Sequence, residues 1–525
     1  MDRRIEAPNA TTRAQLDRIL REAGVRREYA PAVEGEVERF VANPGIDDPR
    51  LADLTDRPFV TIDETHSRDL DQALFIQRTG GGFVVDYALA DAAYAVRPDT
   101  ALFSESLKRG ASFYLPGFSV PMLPRALSEG LVSLNPNVER RALVVRTELD
   151  ATGMPTGSSL FRARIRSRDK LAYGDVDRWL AQESDTFDEA PYAESLRLLK
   201  TVGELRMQDL VERDVVQHHR RSTEVVVNDS GDLEIVPLAR RRVDRYNEQI
   251  SLLCNIEGAR FLRRHAHAAL QPVFKVHERP PESRVHELEA LIGGVVAARG
   301  LDADRWAWRS RSTHGEAGET LAAYLARVPV DGPDGDVGRA IHRQAIWINR
   351  RSEFTVEAAP HHGIGAEEYA RFSAPMREVV GIFTHKEALE VLDDAIEQNV
   401  ERDKALQAQV VEVSNRAKAV QSRIDKKTEL IALDQLLERD LAGDRPVREG
   451  FVMGLAKNKI YIDIEAPPLE VKLYVEDLER HCGGRPTLAD HGAALRGSDR
   501  AIFLGDRVRL RVRGRTKGRW SFELV

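Results

Sequence analysis

Cysteine is nearly missing from this chain, with two in 525 residues, Cys254 and Cys482. That scarcity excludes a disulfide framework and a thiolate zinc site. Aromatic residues make up only 6%. No apolar run is long enough to cross a bilayer, and no repeat or low-complexity segment interrupts the sequence. The opening stretch, MDRRIEAPNATTRAQL, carries basic side chains with no apolar stretch behind them, which argues against a signal peptide. Together these absences predict a cytoplasmic protein with no membrane attachment.

What is present is the composition of a soluble globular protein, 42% hydrophobic and 31% charged. The length predicts about two to four domains. The net charge of −7 excludes a polycation, yet charge is uneven: residues 500–525 hold eight Lys/Arg against Asp506 and Glu523. Such a local basic strip fits a nucleic-acid contact, because affinity follows cation density near phosphates. A solvated strand face would look the same.

Pattern divides the chain in three. Residues 1–55 read as a small helical segment, a candidate helix-turn-helix, with TTRAQLDRILREAGV capped by Thr and stopped by Gly24. Residues 56–440 mix strands (FVTID, ALFIQ, FVVDYALA, RALVVRTEL) with long helices, and 300–340 is the least regular part. Residues 445–525 return to five short strands with glycine-rich connections, the pattern of an OB-type β-barrel. The fold class expected is therefore α+β.

The stretch FVTIDETHSRDLDQALF crowds Asp63, Asp69 and Asp71 into one corner. Like charges held together repel and raise each other's pKa, so a positive group belongs among them unless the turn is simply wet. Strand alternation puts Asp63 on a face with Phe59 and Thr61, and sends Asp69 and Asp71 the same way while Leu70 points elsewhere. Three converging carboxylates suit a hard cation such as Mg²⁺. An EF-hand loop fails, since Arg68 stands where glycine is needed and Leu74 where the bidentate glutamate belongs. From spacing alone an exposed acidic turn stays open. The pairs His218-His219 and His361-His362 and the trio His265-Ala-His267 do not make a zinc site, as neighbouring rings point apart.

The next segments resemble the ribonuclease II family. YLPGFSVPMLPRALSEGLVSLNPNVERRALVV follows DYALADAAYAV, and HHGIGAEEYARFSAPMREVVGIFTHKEAL is similar to that family's H-x-GLG-x-x-x-Y-x-x-x-TSPIRRY element. The likeness spans roughly residues 56–440. It implies a mixed catalytic domain performing Mg²⁺-dependent (alternatively Mn²⁺-dependent) 3′-to-5′ hydrolysis of single-stranded RNA to nucleoside 5′-monophosphates, by a monomer without organic cofactor. Carried over by position, Asp63, Asp69 and Asp71 match three acids of a four-aspartate cluster, with Asp71 the most sensitive. Tyr173 matches an aromatic that stacks on the last base, and Arg377 an arginine that holds the scissile phosphate. The C-terminal strands match a terminal RNA-binding OB domain, where Arg507, Arg509, Arg511 and Arg513 would track the backbone and Trp520 would stack.

This sequence departs from the pattern in places. Gln72 replaces the fourth aspartate and brings no charge, though its carbonyl could still ligate an ion. Glu378 replaces the second arginine of SPIRRY. The N-terminal residues are too few for paired cold-shock barrels. These departures leave a second reading, an RNA-binding relative with impaired catalysis.

Overall fold

The computed structural model describes residues 6–216, 222–238, 240–516 and 518–525; His218 and His219 lie outside them. Helix α1 (Ala10–Glu22) starts earlier than the sequence reading, because Asn9 rather than a threonine caps it, its side chain accepting the Thr12 N–H at 2.9 Å. Leu16, Ile19 and Leu20 bury against Phe113, Leu115, Leu233 and Ile424. Helix α2 (Pro31–Ala42) docks elsewhere. Its Glu36 carboxylate accepts the N–H groups of Ala101 and Leu102 at 3.0 and 2.9 Å, where helix Ala101–Arg109 begins with unpaired donors. The two helices thus face different partners.

A closed barrel follows, built from β1 (Ala52–Asp63), β2 (Gln72–Thr79), β3 (Gly82–Ala90), β4 (Glu139–Asp150) and β5 (Pro155–Ala172). All neighbours are antiparallel except β1 and β5, which run parallel and pair Asp63 with Ala172. Pro58 donates no ladder hydrogen bond, and the β1–β5 register shifts on either side of Phe59. Gly82 is required at the β2–β3 turn: a Cβ there would lie 2.1 Å from the Leu149 carbonyl oxygen. Alternation sorts the strands as expected. Val60, Ile62, Leu74 and Ile76 join one core, while Phe59, Ala73, Ala88 and Ala163 join another.

The hairpin of β6 (Thr223–Val227) and β7 (Leu233–Pro237) leads into α3 (Arg242–Arg264), of which fourteen residues are buried. Short strands β8 (Phe274–Val276) and β9 (Glu353–Thr355) pair between helical segments. Residues 300–340 are not irregular. They hold short helices whose Trp306, Tyr324 and Val337, with Trp308 of a connecting segment, pack with Phe451 and Met453 of the C-terminal strands. The sequence hid this because the helices before Gly335 are too short to show a period.

Helix α4 (Val379–Leu392) is buried along most of its length, and α5 (Val400–Ala442) runs for 43 residues across the molecule. The C-terminal strands β10 (Arg448–Ala456), β11 (Lys459–Ile464), β12 (Leu469–Tyr474), β13 (Arg507–Thr516) and β14 (Arg519–Leu524) form one sheet in the order β12-β11-β10-β13-β14. A helix, Val475–Cys482, follows the third strand. That strand order, with a helix between the third and fourth strands, is the OB arrangement, here an open sheet joined to a three-stranded one. The fold is α+β, as expected.

Candidate active site

Asp63 closes β1, and the chain turns before Asp69 and Asp71 lead into β2. Leu70, 1% exposed, is the anchor of this turn. Its N–H donates to Ser133 Oγ, and its carbonyl accepts the Leu134 N–H, both at 3.0 Å. With Leu70 held inward, Asp69 and Asp71 turn the other way. Lys170, on β5, braces the turn by donating to the carbonyls of Thr65 and Ser67 at 2.7 and 2.5 Å.

The positive group among the carboxylates is Arg377. Its Nε donates to Asp71 Oδ2, while Asp71 Oδ1 accepts the Met376 N–H at 2.9 Å. Burial pushes the Asp71 carboxyl up to about 6, against the pull of Arg377 and the Met376 amide. Burial also raises Asp63, again with Arg377 opposing. Arg377 is held well above its usual range, by Asp71 first and by Asp63 and Asp69 as well. The crowding is therefore offset by a guanidinium, while burial keeps the Asp63 and Asp71 carboxyls raised.

The loop carrying Arg377 is fixed from α3. Asn255, fully buried, donates from Nδ2 to Tyr369 Oη at 3.0 Å and Ser373 Oγ at 2.8 Å. Its Oδ1 accepts the N–H groups of Phe372 and Ser373 at 2.7 and 2.9 Å. Gly258, one turn on, leaves room for the Phe372 ring, which would sit 2.4 Å from an added Cβ. Gln72 adds a further tie: its Nε2 donates to the Ser373 carbonyl and its Oε1 accepts from Tyr87 Oη. Both ends of that amide are engaged within the protein.

Asp69 and Gln72 of this corner line a cavity of about 1670 Å³, together with Tyr114, Tyr173, Lys275 and Arg371 among others; Asp63, Asp71 and Arg377 stand behind that lining. Tyr173 opens a helix directly after β5, and its hydroxyl accepts from Asn247 Nδ2 of α3 at 2.9 Å. Burial raises its pKa, with nearby Asp63 adding to the rise. Tyr114 presents a half-exposed ring to the cavity and its hydroxyl to Arg377.

No residue of the C-terminal sheet lines this cavity among those described. Arg507 pairs with Asp336 at 2.7 Å and Glu465 at 3.3 Å, Arg509 with Glu449 at 3.9 Å, and Arg511 with Glu523 at 3.6 Å. Arg513 faces Asp477. Trp520 is 9% exposed, and its Nε1 donates to Asp434 of α5 at 2.7 Å. It borders a second cavity of about 1200 Å³ between α5 and the sheet.

Among the described residues, the group whose ligand atoms all lie within 4.8 Å is Glu387, Glu390 and Asp403, not the aspartate corner. Those three acids already surround a cation of the chain, Lys386 Nζ, at 2.7, 2.9 and 2.5 Å. The sequence reading missed Lys170, Asn255, Lys275 and Arg371. Arg371 sits inside the quoted HHGIGAEEYARFSAPMREVVGIFTHKEAL segment, so position could have flagged it.

A protein-family model described as RNB domain matches residues 51–394. The chain belongs to the RNB-domain family. Among curated RNB proteins, ribonuclease R of Vibrio cholerae is 30% identical over 364 residues, 67% of this chain and 42% of that protein. Exoribonuclease 2 of Yersinia pseudotuberculosis is 31% identical over 342 residues, 64% of this chain and 50% of that protein. The chain thus matches about half the length of these relatives or less. Among solved structures, Mycoplasma genitalium RNase R in complex with ribose methylated single-stranded RNA superposes with a TM-score of 0.88 at 20% identity, covering 98% of this chain and 78% of that one. Yeast Ssd1, described as a pseudonuclease, gives 0.67 at 15% identity over 92% of this chain and 58% of its own. The likeness in fold to the solved RNase R therefore extends over nearly the whole chain, beyond the RNB match itself.

Proposed function

We propose that this RNB protein is a hydrolytic 3′-to-5′ exoribonuclease that shortens single-stranded RNA and releases nucleoside 5′-monophosphates. The observation that carries this reading is the Arg377–Asp71 pair beside Asp63 and Asp69, next to a cavity that Asp69 and the Arg377-bonded Tyr114 line. Arg377 is placed to donate to a non-bridging phosphate oxygen and offset charge that builds there. Tyr173 and Tyr114 offer ring faces to a terminal base. In the reaction a water oxygen bonds to phosphorus while the bond from phosphorus to the 3′ oxygen of the preceding nucleotide breaks. That oxygen takes a proton.

Asp63, Asp69 and Asp71 fit a divalent ion in kind, since all are hard oxygen donors. Mg²⁺, or Mn²⁺ in its place, would supply Lewis-acid polarisation of the phosphate and a lowered water pKa. Gln72 is not counted among the ligands, since its amide is spent on Tyr87 and Ser373. The C-terminal sheet remains the proposed contact for the incoming strand, through arginines that would exchange carboxylates for phosphates. We place the protein in the cytoplasm as a monomer.

The engaged Gln72 supports a second reading, an RNA-binding relative that no longer cuts. Incubation of the purified chain with 5′-labelled single-stranded RNA and Mg²⁺ separates the two. Stepwise shortening that stops on chelation supports the enzyme; retarded but intact RNA supports the binder.

A further inference from the structure

Where the family's motif has a second arginine, this chain has Glu378, and the reversal of charge has a structural counterpart. Glu378 Oε1 accepts from Arg371 Nε at 3.0 Å and Nη2 at 2.7 Å. Against the effect of burial, Arg371 holds the Glu378 carboxyl below its usual range. The guanidinium therefore enters from the loop before the motif, and it lines the cavity that Asp69 and Tyr173 also line.

Arg371 has company there. Lys275, on β8, reaches the same wall, and its backbone N–H donates to the Tyr369 carbonyl at 2.8 Å. The groups facing Lys275 are Arg371 and Glu378 from the loop, Lys418 from α5 and His361 from the β9–α4 connection, with the rings of Phe354 and Tyr369 beside its ammonium. Glu378 thus stands against Lys275 and Arg371, while Lys418 also faces Glu353. His361 is 9% exposed, lines the same cavity, and its Nδ1 has no hydrogen-bond partner. This stretch of wall carries more positive than negative charge, the kind of surface a phosphate fits.

We propose that Lys275 and Arg371 form a second phosphate-binding point in this cavity, which grips a phosphodiester of the RNA strand on the 5′ side of the linkage that Arg377 engages. The proposal rests on the reading of the cavity as an RNA site. Glu378 is then a positioning residue that aims Arg371, and the charge exchange relocates a cation rather than losing one. Burial first and Arg371 next lower Lys275 to about 8, with Glu378 opposing them.

The test is equilibrium binding of a 2′-O-methylated single-stranded oligoribonucleotide, which resists hydrolysis, across a salt series. The proteins are the full chain, Lys275→Met, Lys275→Arg and the double variant Arg371→Met/Glu378→Met, which removes the ion pair without leaving a lone buried charge. Each lost phosphate contact on a single strand lowers the slope of log K against log salt by about 0.7. We expect Lys275→Met and the double variant to bind about tenfold more weakly with a shallower slope, and Lys275→Arg to bind like the native chain. If the double variant does not fold, the two Lys275 variants carry the test. Native affinity and slope in Lys275→Met overturn the proposal while the RNA site stands. A native chain that neither binds nor cuts RNA overturns the functional reading itself.

Discussion

Asn255 and Ser373 hold each other at both ends: Nδ2 donates to Ser373 Oγ at 2.8 Å and Oδ1 accepts the Ser373 N–H at 2.9 Å. The pair ties buried helix α3 to the loop that presents Arg371 and Arg377. Replacing Asn255 with Leu strands the Phe372 and Ser373 amides, each at about 1–3 kcal/mol. A loss of roughly 3 kcal/mol in urea unfolding is expected, with turnover falling more than substrate affinity. Native stability would show that water replaces the amide.

Asp71→Asn keeps the shape of the side chain and removes its charge. Hydrolysis of labelled RNA is expected to fall by a factor of about 100 or more, with retention of RNA in a gel-shift assay unchanged. Undiminished cleavage would remove Asp71 from the reaction centre.

Lys275 makes a pH-dependent contribution whose sign follows from its lowered pKa. Its ordinary value of 10.5 falls to about 8 in the folded protein. Below about 8 both folded and unfolded chains carry the charge, and the folded one bears the cost of burying it. Between about 8 and 10.5 the folded lysine is neutral while the unfolded one still holds its proton, so this group's penalty fades as pH rises. Lys275→Met is therefore expected to be more stable than the native chain at pH 7, by on the order of 2 kcal/mol, with the gap closing above about 10. A gap that widens with pH would contradict the assignment.

Lys386 sits among Glu387, Glu390 and Asp403, and burial raises both glutamates despite the lysine. Lys386→Met leaves three acids together and is expected to cost about 3–5 kcal/mol in chemical unfolding. Partial recovery at pH 5, where protonation relieves the repulsion, is the accompanying signature.

The sequence made the site legible where local pattern and contact coincide. Leu70 could be read as the inward residue between Asp69 and Asp71 because strand-like alternation dictates it, and Arg377 because its motif names it. The same holds for the five C-terminal strands, though the helix Val475–Cys482 between the third and fourth was not read. What escaped were contacts between distant segments. Arg377 meets Asp71 across 306 positions, and no window on the chain could show that the cation among the aspartates is a side chain. Gln72 looked like a weakened ligand because its type was visible and its partners, Tyr87 and Ser373, were not. The arginines of β13 alternate as read, but their neighbours Asp336, Glu449 and Glu523 come from other elements.

Helix α5 touches both ends of the molecule. Gln421 exchanges hydrogen bonds with the backbone of Tyr114 at the cavity, donating and accepting at 3.0 Å, and Asp434 accepts from Trp520 at 2.7 Å. At 1.5 Å rise per residue these grips lie about 20 Å apart along one rigid rod. The rod also takes Glu22 of α1 through Lys427 and Arg448 of β10 through Asp440. Tilting the terminal sheet would therefore pull on the tyrosine at the cavity wall, so the reach from outer sheet to inner pocket is a set length, like the gap between the jaws of a gauge.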